Sequence, residues 1–151
     1  MDQNLRELYQ EIILDHSRHP RHFGALADAN HIAEGHNPLC GDRVKVYLQV
    51  DADNRITDVS FEGRGCAISV ASASLMTDLL KGRSIAESEH LMGGFLQLVK
   101  GEDAPDLPPD DREQLEVMAG VSAFPMRVKC ATLAWHAMKS ALDSGSVAKT
   151  Q

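Results

Sequence analysis

The sequence predicts a single α+β domain: a small antiparallel β-sheet packed by about five helices. Three observations carry this. Apolar residues recur at helical spacing near the N-terminus and repeatedly after residue 66, while residues 43–62 alternate with period two about a turn sequence. The chain has 151 residues, 43% hydrophobic and 25% charged, enough for one core without disulfides.

The elements follow in order. Leu5, Leu8, Ile12 and Ile13 lie on one helical stripe, which Pro20 ends. Residues 23–39 have no period and read as an irregular connector. Val44, Val46, Leu48 and Val50 alternate with Lys45, Tyr47 and Gln49, as in a half-buried strand. Asp51-Ala52-Asp53-Asn54 supplies the turn, and residues 55–62 return with Thr57, Val59 and Phe61 on one face. The expected register sets Val44 opposite Phe61 and Val46 opposite Val59, with Ile56 out of phase at a bulge.

Beyond the hairpin, Ile68, Ala71, Leu75 and Leu79 describe a helix stopped by Gly82, with Ser69, Ser72 and Ala73 as a small face for close packing. Ser84-Ile85-Ala86-Glu87 is a capping box, opening a helix that runs toward Lys100 with Gly93-Gly94 as its weak point. Residues 101–111, rich in Pro and acids, read as a solvated loop before a short helix at residues 112–119. Pro125 opens a final helix in which Val128, Ala131, Trp135, Met138 and Leu142 recur, flanked by the small stripe Cys130, Ala134, Ala137 and Ala141. Residues 149–151 are expected to fray.

Fifteen Lys and Arg against 22 Asp and Glu leave a net charge of −7, which argues against a nucleic-acid footprint or a polybasic membrane patch. The N-terminus lacks the pattern of a signal peptide, and residues 65–77, though uncharged, are too few to span a bilayer. The expected location is cytoplasmic. Three cysteines, Cys40, Cys66 and Cys130, stand far apart without a CxxC. In a reducing compartment such cysteines more often bind metal or catalyse than form disulfides; burial as small apolar residues is the other reading.

The hairpin brings Cys66 within about one residue of the position opposite Cys40, and Asp42 shares the parity of Cys40. Gly63 and Gly65 permit positive φ or a close backbone approach. Cys66 opens a helix, and Cys130 lies beside Arg127 and Lys129; both settings favour thiolate. Three thiolates and a carboxylate suit tetrahedral Zn²⁺, and the same donors accept iron-sulfur clusters; a purely structural zinc site is the competing reading. His16, His19 and His22 read as helix-end caps and surface contacts rather than a second metal site, because Pro20 interrupts any common helical face. His36 and His136 have no ligand spacing to a cysteine, and no protease-like Cys signature is present.

The segments LYQEIILDH, HPRHFG, NPLCGD, GRGCAIS and RVKC, in this order, resemble the U-type iron-sulfur cluster assembly family, related to IscU and the N-terminal part of NifU. The likeness covers most of residues 5–142, the core of a single domain expected over residues 1–151. It implies that Cys40, Asp42, Cys66 and Cys130 bind zinc or a transient iron-sulfur cluster. Lys129 before the third cysteine, where the scaffold branch typically has His, and the acidic Pro-containing insertion resemble the SufU branch. That branch implies a zinc-dependent acceptor of sulfur from a SufS-type cysteine desulfurase, rather than a stand-alone enzyme, feeding downstream cluster assembly proteins. Cys40 is then the persulfide acceptor, Asp42 the exchangeable ligand that tunes opening, and Arg64 and Arg127 contacts for partner acids or anionic sulfur.

Overall fold

The computed structural model describes residues 3–39, 41–144 and 147–150, with Ser144 and the last four by backbone alone. Helix α1 (Gln3–Arg18) comes first, its end set by Pro20 as the pattern predicts. Strands β1 (His31–Asn37), β2 (Asp42–Val50) and β3 (Ile56–Arg64) form an antiparallel meander. Helices α2 (Ala67–Leu80), α3 (Ile85–Val99), α4 (Pro109–Leu115) and α5 (Pro125–Ser144) follow, with a 3₁₀ stretch (Glu116–Ala123) between the last two. A fourth strand, β4 (Val147–Thr150), runs parallel to β1, giving the sheet order β3-β2-β1-β4. The fold class expected from the sequence is the one observed.

The differences in detail have physical causes. The supposed connector contains β1, whose inward residues Ala33, Gly35 and Asn37 are small or polar, so no hydrophobic alternation betrays it. The hairpin register is displaced by two residues: Val46 faces Phe61, Leu48 faces Val59 and Val44 faces Gly63. A longer turn causes this. Asp51 Oδ1 accepts the N–H groups of Asp53 and Arg55, Asn54 takes φ 59°, and a bulge separates Gln49 from Val50. A displacement by two preserves parity, so the apolar face stays inward. Backbone of the stretch read as fraying from Lys149 is found instead in β4 beside β1.

The loop at residues 101–111 is not merely solvated. Ala104 and Leu107 enter the core, and Asp111, in a helix that starts at Pro109 rather than at residue 112, receives both arms of the Arg83 guanidinium at 2.7 and 3.0 Å. Gly94 does not weaken α3; a Cβ there would lie 2.3 Å from Leu107, so glycine lets the loop seat against the helix. The capping box is complete: Ser84 Oγ accepts the Glu87 N–H, and Glu87 accepts that of Ser84.

The inward sheet face meets α2 and α5. Ser69, Ser72 and Ala73 of α2 are buried, and Ser72 Oγ donates to the Ala131 carbonyl, so the two helices approach closely through small residues. Trp135 stacks on Phe95 at 4.8 Å between centroids, closing the core from α3. Side chains of this size stabilise by about 1.5–3 kcal/mol each when fully buried. What this packing decides for function is that the starts of α2 and α5 and the start of β2 lie at one end of the sheet.

Candidate metal centre

Asp42 opens β2 and is 1% exposed. Its Oδ1 accepts the Cys66 backbone N–H at 3.0 Å, and Oδ2 lies 3.8 Å from Cys66 Sγ. Cys66 is the N-cap of α2, with no capping bond from its own side chain, so the carboxylate steadies the helix start from another element. Gly65 is required by the carboxylate: a Cβ there would lie 2.3 Å from Asp42 Oδ1. At Gly63 a Cβ would lie 2.3 Å from the Arg43 carbonyl oxygen. Neither glycine takes a positive φ; what requires them is close approach to the Asp42 carboxylate and the Arg43 carbonyl of the protein itself.

Cys130 projects from the second turn of α5 and is buried, whereas Cys66 is exposed. The donor atoms of Asp42, Cys66 and Cys130 all lie within 4.8 Å of one another. Two sulfurs and one carboxylate oxygen at such separations are the donor types of a zinc or iron-sulfur centre, and a carboxylate buried beside thiols is a setting that a cation would compensate. Cys40 lies outside the described residues. The turn on either side of it is described: Gly41 takes φ +74° and donates its N–H to the Asn37 carbonyl at 2.9 Å, and Leu39 N–H donates to Asn37 Oδ1 at 3.2 Å.

Around this centre the surface is cationic and partly apolar. Arg43 and Arg64, cross-strand partners at the ends of β2 and β3, are exposed, as are Arg127 and Lys129 on α5. Arg127 lies with its guanidinium 4.4 Å from the Phe124 ring centre. Leu39, Phe124 and Met126 are exposed apolar residues in the same segments. The histidines stand apart: His16 Nδ1 is 2.7 Å from Ser74 Oγ and His22 Nε2 3.2 Å from Asp78, which ties the first helix and its following turn to α2. Among the described residues no metal-ligating group of three includes a histidine. Asn37 is the residue that pattern reading passed over; an Asn-Pro pair is a turn signal and carries no sign of burial.

The fold and this centre define a small α+β protein with a cysteine-carboxylate cluster at one end of an antiparallel sheet. The chain belongs to the NifU-like N-terminal domain family, whose model matches residues 8–131, and so to the iron-sulfur cluster assembly proteins. It is 40% identical over 136 residues to the zinc-dependent sulfurtransferase SufU of Bacillus subtilis, covering 90% of each chain. It is 39% identical over 145 residues to the iron-sulfur cluster assembly scaffold protein IscU of Streptococcus pyogenes, covering 96% of this chain and 89% of that one. The crystal structure of an iron-sulfur cluster assembly scaffold protein for the SUF system from Fervidobacterium islandicum superposes with a TM-score of 0.80 at 33% identity, over 93% of this chain and 99% of that one.

Proposed function

We propose that this protein accepts sulfur from a SufS-type cysteine desulfurase at a zinc centre made by Cys40, Asp42, Cys66 and Cys130, and passes it to downstream cluster assembly proteins in the cytoplasm. The observation that carries this reading is the convergence of the Asp42, Cys66 and Cys130 donor atoms within 4.8 Å. Similarity to a relative named as a zinc-dependent sulfurtransferase supports it. Bound zinc would keep the thiols deprotonated at neutral pH.

Cys40 stands in sequence between Pro38 and Gly41 rather than in a helical pattern, whereas Cys66 is the N-cap of α2 and Cys130 lies in the second turn of α5. Its thiolate attacks the outer sulfur of the desulfurase persulfide; the new S–S bond forms on Cys40 as the old one breaks, and the desulfurase cysteine leaves as thiolate. No net oxidation occurs. Asp42, the oxygen donor among sulfurs, would be the most exchangeable of the residues holding the metal. Arg64 and Arg127 meet partner carboxylates or the anionic persulfide.

The test combines metal analysis with a desulfurase assay. About one zinc per chain, faster cysteine turnover, and a persulfide mapped by mass to Cys40 are expected. A label on Cys66 or Cys130, or stimulation surviving Cys40→Ser, overturns the assignment of Cys40. Similarity to a relative named as a scaffold favours a second reading, assembly of a transient cluster on the same residues. A stable iron-sulfur chromophore without desulfurase stimulation would establish it.

A further inference from the structure

Asn37 is 7% exposed, and its Nδ2 has no hydrogen-bond partner among the described residues. A buried amide N–H left unpaired is destabilising, so a residue that does no more than close a turn has no reason to keep it. The other end of the side chain is used: Oδ1 accepts the Leu39 N–H, and the Asn37 carbonyl accepts that of Gly41. Aspartate supplies the same turn acceptor without a stranded donor.

The residue's place in the sheet is specific. Asn37 is the cross-strand partner of Asp42, so the two side chains leave one face of the sheet as neighbours, with Cβ atoms about 4.5–5.5 Å apart. Ala33, Gly35 and Asn37 are the buried residues of β1, and Asp42 on that face closes with Cys66 and Cys130 into the donor cluster. The Asp42 carboxylate is already engaged through Oδ1 with the Cys66 N–H. What the cluster gains in a loaded or sulfur-bearing state is anionic sulfur, which accepts hydrogen bonds and is stabilised by them.

We propose that Asn37 is a positioning residue with two ends: Oδ1 holds the Leu39 N–H in its turn, and Nδ2–H donates to an anionic sulfur held at the Asp42, Cys66 and Cys130 centre. This rests on the metal-binding reading above and extends it to a residue outside the ligand set. Donation lowers the energy of the sulfur lone pairs, so its loss moves a sulfur-to-metal charge-transfer band to longer wavelength.

The test uses cobalt(II) as probe in the full chain, with Asn37→Ser, which keeps a turn acceptor but has no amide nitrogen, and Asn37→Ala, which keeps neither. Both variants should show the thiolate-to-cobalt band at longer wavelength than the parent and bind the metal about tenfold more weakly in chelator competition. Hydrogen exchange of the Leu39 amide should stay slow in Asn37→Ser and quicken in Asn37→Ala. A band at the parental wavelength in Asn37→Ala, which has no side-chain donor, overturns the donor role, whatever its affinity, and leaves Asn37 a turn residue. Absence of any cobalt-thiolate band in the parent protein is a different failure, that of the metal-binding reading itself.

Discussion

Asp42 serves the fold and the centre with the same carboxylate, and the two roles separate by substitution. Its Oδ1 holds the N–H at the start of α2, in a buried place where an orphaned donor costs about 1–3 kcal/mol. Asp42→Ala should therefore destabilise the metal-free protein by that order in urea unfolding, whereas Asp42→Asn, which keeps the acceptor, should cost less. Both should retain metal on the thiolates yet release it faster to a chelator, and unchanged desulfurase stimulation by either would remove the carboxylate from the mechanism. A second residue carries a pH dependence. Burial, and then the Arg21 cation, push the His16 imidazole below its ordinary value, while Asp78 and Asp15 pull the other way less strongly. A group that binds its proton less readily when folded favours folding fully above its unfolded pKa, about 6.5, and loses that contribution as pH falls below it toward the folded value. Metal-free protein should show a urea midpoint that falls between pH 7 and pH 5, and His16→Gln should flatten the part due to this residue.

At the scale of elements, the helices are set by local chemistry and can be tested locally. The reciprocal bonds of Ser84 and Glu87 satisfy two backbone donors at the start of α3, and Ser84→Ala should cost about 1 kcal/mol in equilibrium unfolding with no change in metal content. An effect on metal content would mean that α3 communicates with the centre. The strands are a different case. β2 and β3 announce themselves by alternation, but their register depends on how many residues the turn absorbs, which Asp51 and the positive φ of Asn54 decide. β1 has too little apolar content to announce itself at all. It forms because β2 offers an edge and α5 covers its small inward residues.

Across the whole molecule, the centre joins three elements that meet only in the folded chain: β2 through Asp42, α2 through Cys66 and α5 through Cys130. A metal held there binds the native state alone, so its removal should lower the unfolding midpoint. At free zinc a hundred times the dissociation constant the linkage is about 2.7 kcal/mol. Thermal unfolding before and after chelation, with recovery on adding zinc back, measures this; equal midpoints would mean that the cluster does not hold the metal in the native state. No helix among the described residues is long and apolar enough to cross a membrane.

The sequence by itself determined the helices, because 3.6-residue periodicity, a capping box and proline placement act within a few residues of one another, and it marked the two alternating strands. It also made the hairpin end suspect, since Asp42 and the glycines before Cys66 lie close to cysteine in a short span. Only the tertiary structure decided the rest. Cys130 stands 64 positions beyond Cys66, and no local signal states that α5 packs across the sheet with that sulfur toward Asp42. The register, the strand hidden in residues 31–37 and the buried nitrogen of Asn37, without a partner among the described residues, are likewise products of long-range packing, in which one segment's conformation is chosen by the surface another presents to it.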